Sequence, residues 1–237
     1  MTNQIILDCS YTKITSIPIL PQSLKYLYCE NTEITSIPIL PQSLKKLDCY
    51  NTPIISLPPL PQSLKQLSCH DTKITIIPTL PQSLKILWCD NTLIVSLPSL
   101  PQSLEKLDCS NTEIVSIPTL PPLLEELYFY NTPIVSIPSL PQSLRILDCS
   151  NTNIAFLPDL PKSLHKLNCK NCKYLYIPKK SRARRFVKET EYNTNYNYQV
   201  LKIQRVYKRF KQRKFQKTLY NNSNLPKDVC YCISKMI

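Results

Sequence analysis

From residue 4 to residue 178 the chain repeats one arrangement of apolar and polar positions every twenty residues. One copy runs Leu24-Lys-Tyr-Leu27-Tyr-Cys29-Glu-Asn31-Thr32-Glu-Ile34-Thr-Ser36-Ile37-Pro38-Ile-Leu40-Pro41-Gln-Ser43. Copies start at residues 4, 24, 44, 64, 84, 104, 124, 144 and 164; the first has Gln4 in place of Leu, and the last degrades after Pro178. A fixed short period means stacked units that bury their apolar sides against one another. Leu27 and Cys29 alternate with Tyr26, Tyr28 and Glu30. That period of two predicts a short strand with one face buried. Pro38 and Pro41 follow within the same copy. Proline fixes φ and holds the residue before it extended, so the return leg is extended or polyproline-like, with no room for an α-helix.

The pattern resembles the leucine-rich repeat, L-x-x-L-x-L-x-x-N-x-L. Leu24, Leu27, Cys29, Thr32 and Ile34 occupy its five fixed places. The continuation Ile37-Pro38-x-Leu40-Pro41 is similar to the short L-P-x-L-P type of secreted bacterial effectors. Asn-, Lys- and Ile-rich usage with near-perfect repeats is also similar to leucine-rich-repeat proteins of amoeba-infecting giant viruses of the mimivirus type. The resemblance implies a repeat solenoid: a right-handed coil with a parallel concave β-sheet of nine strands, roughly 40 Å long at the usual strand spacing. In one respect the chain departs from the family. Threonine (Thr12, Thr32, Thr52, Thr72, Thr92, Thr112, Thr132, Thr152), then Cys172, stands where the ladder asparagine is expected. A hydroxyl can still bond backbone at the turn, but it makes fewer bonds than an amide.

Cysteine marks the phase of the repeat at residues 9, 29, 49, 69, 89, 109, 149 and 169, and only Phe129 breaks the series. Thiols at fixed spacing suggest metal or redox chemistry; an inward small apolar side chain is the other reading. Phe129 favours the second, because a core position accepts phenylalanine and a ligand position does not. Leu123 and Pro122 in the same copy read as local repacking around it. Cys169-x-x-Cys172 together with Cys230-x-Cys232 could supply four zinc ligands. The first spacing, however, arises from the repeat, so no metal or other cofactor is expected.

Composition narrows the function further. The chain has 237 residues and no glycine, which removes the phosphate-binding loops that need it. No apolar run reaches the roughly 18 residues of a membrane span. Eleven cysteines and an N-terminus unlike a secretory signal point to a reducing intracellular setting, cytoplasmic or nuclear, and to a host cell if the source is viral. His70 and His165 are five copies apart, and Cys69 and His70 alternate in and out, so no nucleophile–base pair forms. Similar bacterial proteins append a ubiquitin-ligase domain, for which residues 179–237 are too few. We therefore expect no enzyme and no small-molecule substrate.

Comparison among copies separates frame from variable surface. Inward positions barely change, while outward strand positions change freely and form the concave face. Tyr26, Tyr28, Tyr50, Trp88, Tyr128 and Tyr130 lie there, with His70 beside them. Exposed Tyr and Trp anchor protein interfaces, although aromatics also favour strands for their own sake. A protein partner is the expected ligand of this face.

The formal charge of +13 is confined to one end. Residues 1–178, the solenoid, carry 13 Lys+Arg and 13 Asp+Glu; residues 179–237 carry 16 and 3. Residues 179–198 comprise a basic cluster and a polar linker. The cluster suits a nuclear signal, a nucleic-acid contact or a solvated cap. Residues 199–220 read as a basic amphipathic α-helix and 221–237 as a short tail. Within that helix, Ile203-Gln204 followed by Lys208, Arg209 and Arg213 resembles the IQ motif, with Arg209 in the glycine place. This implies a calmodulin-like partner; a cap on the solenoid end, nucleic acid and a membrane surface are the alternatives.

Overall fold

The structure, a computed structural model, describes residues 5–177 and Arg185. The basic cluster and linker, the expected helix with Ile203, Gln204, Lys208, Arg209 and Arg213, and the tail with Cys230 and Cys232 lie outside the described residues.

Nine three-residue strands form one sheet: β1 (Ile6–Asp8), β2 (Tyr26–Tyr28), β3 (Lys46–Asp48), β4 (Gln66–Ser68), β5 (Ile86–Trp88), β6 (Lys106–Asp108), β7 (Glu126–Tyr128), β8 (Ile146–Asp148) and β9 (Lys166–Asn168). Every neighbouring pair is parallel, and each residue opposes the one twenty positions on, as Leu27 opposes Leu47. Return legs between the strands carry no helix. The expected parallel solenoid with strands at the Leu-x-Cys segments is therefore present.

Strand alternation puts the central leucine inward, and Leu27, Leu47, Leu67, Leu87, Leu107, Leu127 and Leu147 are all inaccessible. Leu24, Cys29 and Ile34 of the same copy and their counterparts complete one continuous core. Each fully buried aliphatic side chain contributes roughly 1.5–3 kcal/mol of hydrophobic stabilisation before entropy is counted. The first strand is thinly covered, with Ile5 and Ile6 exposed.

Polar ladders stitch the copies together. The Ser43 hydroxyl donates to the carbonyls of Gln22 and Leu24, both at 2.6 Å, and Ser63, Ser83 and Ser103 repeat this one copy on. The threonine hydroxyls instead donate within their own copy, as Thr32 does to the Cys29 carbonyl at 2.7 Å, and among the described residues only Thr152 also meets a side chain of the next copy, Cys172. The threonine ladder is thus a set of turn clamps. Lateral amide bonds come from the preceding position, where the Asn51 amide donates to the Asn31 side-chain carbonyl at 2.6 Å.

That preceding position has a second role. Tyr11, Asn31, Asn51, Asp71, Asn91, Asn111, Asn131, Asn151 and Asn171 all have φ between 51° and 57°. Here the chain turns out of the strand through the left-handed region, which most residues with a Cβ avoid. Asn and Asp tolerate it because the short polar side chain bonds locally. In a chain without glycine, asparagine takes the place that glycine would otherwise fill. Only Tyr11, in the first copy, lacks such a side chain.

One expectation needs correcting. Leu123 does not join any repacking around Phe129, because its side chain is half exposed. Serine hydroxyls bond backbone carbonyls of the preceding copy, so a leucine in that place has nothing to donate and lies at the surface.

Candidate functional site

The cysteine column is core. Cys29, Cys49, Cys69, Cys89, Cys109 and Cys149 are fully buried, and Cys169 nearly so. All nine described cysteines are free thiols. Several donate weakly across the sheet, as Cys29 does to the Asp48 carbonyl at 3.3 Å. Burial pushes the Cys69 thiol up to about 12 and Cys89 well above its ordinary value, so neither forms the thiolate that metal binding and redox chemistry require. Cys172 behaves differently. Its thiol donates to the Cys149 carbonyl at 3.0 Å and lies 3.4 Å from the Thr152 hydroxyl. Hydrogen bonding from the Cys149 thiol, outweighing burial, lowers Cys172 to about 7. Its neighbours belong to the preceding copy, in keeping with a ladder place and not with a Cys169–Cys172 ligand pair. No group of three or more potential metal ligands occurs among the described residues.

The opposite face of the sheet collects the variable residues. Tyr26 and Tyr28 lie on β2, and Trp88 ends β5. Tyr128 ends β7, while Tyr50, His70 and Tyr130 sit two residues beyond the ends of their strands' Leu-x pairs, in the row that follows. All seven share the open face. Trp88 is exposed and the other six are half-buried. Tyr50 and His70 stack with centroids 4.3 Å apart and 10° between planes. The Lys46 ammonium lies 4.9 Å above the Tyr28 ring and 3.0 Å from the Asp48 carboxylate. The Tyr128 hydroxyl donates to Glu126 at 3.2 Å. Trp88 stands apart, between Ser68 and Asp108 in the register.

Carboxylates mark this face as strongly as the aromatics do, and sequence reading gave them no binding role. Glu30, Asp48, Asp90, Asp108 and Asp148 lie in its two distal rows. Of these, only Asp48 has a Lys or Arg partner within ion-pair distance among the described residues. Four buried side-chain oxygens lack a hydrogen-bond partner among the described residues: Glu30 Oε2, Asp48 Oδ1, Ser68 Oγ and Ser110 Oγ. All four belong to outward positions. The recurrence of acids at outward positions of successive copies was a signal available in the sequence, although Lys46 and Lys106 stand two residues before Asp48 and Asp108 on the same strands.

Burial, reinforced by Asp108, pushes the Asp90 carboxyl up to about 6, and burial also raises Asp108 and Glu30. A raised carboxyl means that the folded state binds its proton more tightly than the unfolded state. Asp90 therefore subtracts stability progressively as pH rises from about 4 to about 6, and the loss is complete above that window.

A second exposed apolar set runs along the return legs, with Ile55, Val95 and Val115 at one position of the repeat, interrupted by Thr75. It shares no row with the aromatic face. No helix among the described residues is long and apolar enough to cross a membrane.

Residues 22–62 match the family model described as leucine rich repeats, two copies. No curated protein matches the sequence. Among solved structures, YopM from Yersinia enterocolitica WA-314 is 28% identical, with a TM-score of 0.52, over 75% of this chain and 49% of its own. The chain thus spans about half the length of that protein. The leucine-rich-repeat domain of a Shigella effector is 29% identical, with a TM-score of 0.60, over 64% of this chain and 71% of its own. The functional domain of InlJ from Listeria monocytogenes, which includes a cysteine ladder, is 22% identical with a TM-score of 0.60 over 73% of this chain and 45% of its own, and shares the fold. The chain accordingly carries leucine-rich repeats, and its parallel solenoid is similar in structure to the leucine-rich-repeat proteins of bacterial effectors.

Proposed function

We propose that this protein is a non-enzymatic interaction scaffold that binds a protein partner on the concave face of its repeats. The fold is one commonly used for protein–protein contacts. The observation that carries the reading is the exposed Trp88, set with half-buried tyrosines and with carboxylates of which Glu30, Asp90, Asp108 and Asp148 have no Lys or Arg partner among the described residues, on variable positions of a nearly constant frame. Large rigid aromatics surrounded by partly desolvated polar groups are what interface centres are made of. The short L-P-x-L-P repeat type and an intracellular, reducing location belong to the same proposal, and the column of free buried thiols supports the latter.

The basic segment beyond residue 178 would act as a second contact. Its charge supports nucleic acid as the alternative partner, with affinity falling steeply with salt, while the IQ-like residues support a calmodulin-like one.

Hydroxyl-radical footprinting of the complex captured by the tagged full-length chain tests the face directly, because Trp and Tyr report strongly. Partner binding should protect Trp88, Tyr28 and Tyr128 several-fold and leave Ile39 and Leu93 on the return legs unchanged. Protection confined to the return legs would refute the face assignment.

A further inference from the structure

The centre of the open face has a specific chemical deficit. β4, β5, β6 and β7 place Ser68, Trp88, Asp108 and Tyr128 in one row across the sheet. In the next row Asp90 lies two residues beyond Trp88, between His70 and Ser110. Asp108 accepts the Ser110 backbone N–H at 3.0 Å, and Asp90 accepts the Asn91 side-chain amide at 3.2 Å. Neither carboxylate has a Lys or Arg within ion-pair distance among the described residues. Two half-buried negative charges thus repel each other beside an exposed indole, while the cations around them are engaged elsewhere: Lys106, on the same strand as Asp108, lies 2.7 Å from Glu126, and the His70 ring lies 2.8 Å from Asp71.

A second, independent feature points to a missing partner. Ser68 is 1% exposed, and its hydroxyl has no hydrogen-bond partner among the described residues. It lies in register with Trp88 on the same face. A buried hydroxyl without a partner costs on the order of 1–3 kcal/mol, and such a cost is sustained where a ligand supplies the missing bond.

We propose that the partner presents an extended segment bearing arginine, and that Asp90, Asp108 and Trp88 form the seat for its guanidinium group. This rests on the reading that the open face binds protein, and it names the chemistry of what binds. A guanidinium has five N–H donors in one plane, enough to serve both carboxylates and a hydroxyl together. Its flat surface stacks on an indole, where a cation is attracted to the ring. The opposite charge relieves the carboxylate repulsion and removes the penalty for burying them unpaired. An anionic or purely aliphatic segment would do none of this. The basic residues beyond 178 repel such a peptide, so its binding reports on the face and not on the tail.

The test uses the full-length chain and two synthetic peptides, one alternating Arg with Ser and Tyr, the other with Glu in every Arg place, titrated by fluorescence at about 0.15 M salt. The Arg peptide should quench or shift the fluorescence of Trp88, the only tryptophan in the chain. The Glu peptide should leave it unchanged. Asp90→Asn should weaken Arg-peptide binding at least tenfold, and Asp90→Asn with Asp108→Asn about a hundredfold. The thermal midpoint of Asp90→Asn at pH 7.5 should meanwhile stay level or rise, because a raised carboxyl is removed; a residue kept for structure would lower it. Equal binding of both peptides, or unchanged affinity in the double variant, overturns the seat. If neither peptide binds yet the captured partner still protects Trp88 from radicals, the cationic seat falls and the face assignment stands. If Trp88 is not protected either, both fall.

Discussion

Phe129→Cys, the change that makes the repeat perfect, should destabilise the protein by about 3 kcal/mol. A rule that equates repeat regularity with stability predicts the opposite. Phe129 is fully buried and flanked in the column by Cys109 and Cys149. The strand just before it, β7, remains in register on both sides, with Leu107, Leu127 and Leu147 aligned. The ring therefore occupies volume without displacing backbone, and that volume would stand empty around a thiol. Phe→Ala in cores costs about 3–5 kcal/mol, and cysteine replaces little more than alanine does. The reverse swap, Cys109→Phe, should cost about 1–3 kcal/mol by overpacking. Urea unfolding at equilibrium, read as the midpoint at constant slope, checks both. A Phe129→Cys chain as stable as the parent would mean that the column is loosely packed.

The second large effect falls on the turn after each strand. Asn91→Val should cost about 1–3 kcal/mol, because φ is 51° there and a β-branched side chain is strongly disfavoured in the left-handed region. Asn91→Gly should be close to neutral for φ. Tyr11, at φ 57°, is the one copy with neither an Asn nor an Asp at this place. Tyr11→Asn should therefore stabilise by a fraction of the same amount. Coupling between neighbouring copies makes a loss in the middle of the stack more damaging than one at its end, so the valine series at Asn31, Asn91 and Asn151 should show the largest shift of thermal midpoint at Asn91. An unshifted midpoint for Asn91→Val would show that these turns carry no strain.

Much of the frame could be read from the chain. Leu27 and Cys29 alternate with polar neighbours, the prolines forbid a helical return, and the structure places strands and core accordingly. The threonine places were legible as turn residues, though not as clamps within a single copy. The asparagines before them were not recognised, since the leucine-rich-repeat pattern leaves that position free. Their signal was the pairing of an unvarying Asn or Asp with a total absence of glycine.

The face was legible in part. Alternation separates the outward strand positions from the buried leucines, yet it also implied that outward meant exposed. Instead Glu30, Asp48, Ser68, Ser110 and Ser150 are all less than a tenth exposed. Strands in a parallel sheet lie about 4.8 Å apart, so small or short outward residues sink between large ones from adjacent copies. Period-two reasoning follows one strand at a time and does not register what stands beside it twenty residues away.

The central claim is that the open face, with Trp88 at its middle, is where a partner binds. The most direct measurement is the dissociation constant of the partner captured by the full-length chain, determined for that chain and for Trp88→Ala with Tyr128→Ala. Both side chains project from the sheet away from the core, so the fold should survive with an unchanged far-ultraviolet spectrum. Central aromatic anchors contribute about 2 kcal/mol or more each when truncated. The account predicts affinity at least a hundredfold weaker. A double variant that binds as tightly as the parent would contradict it.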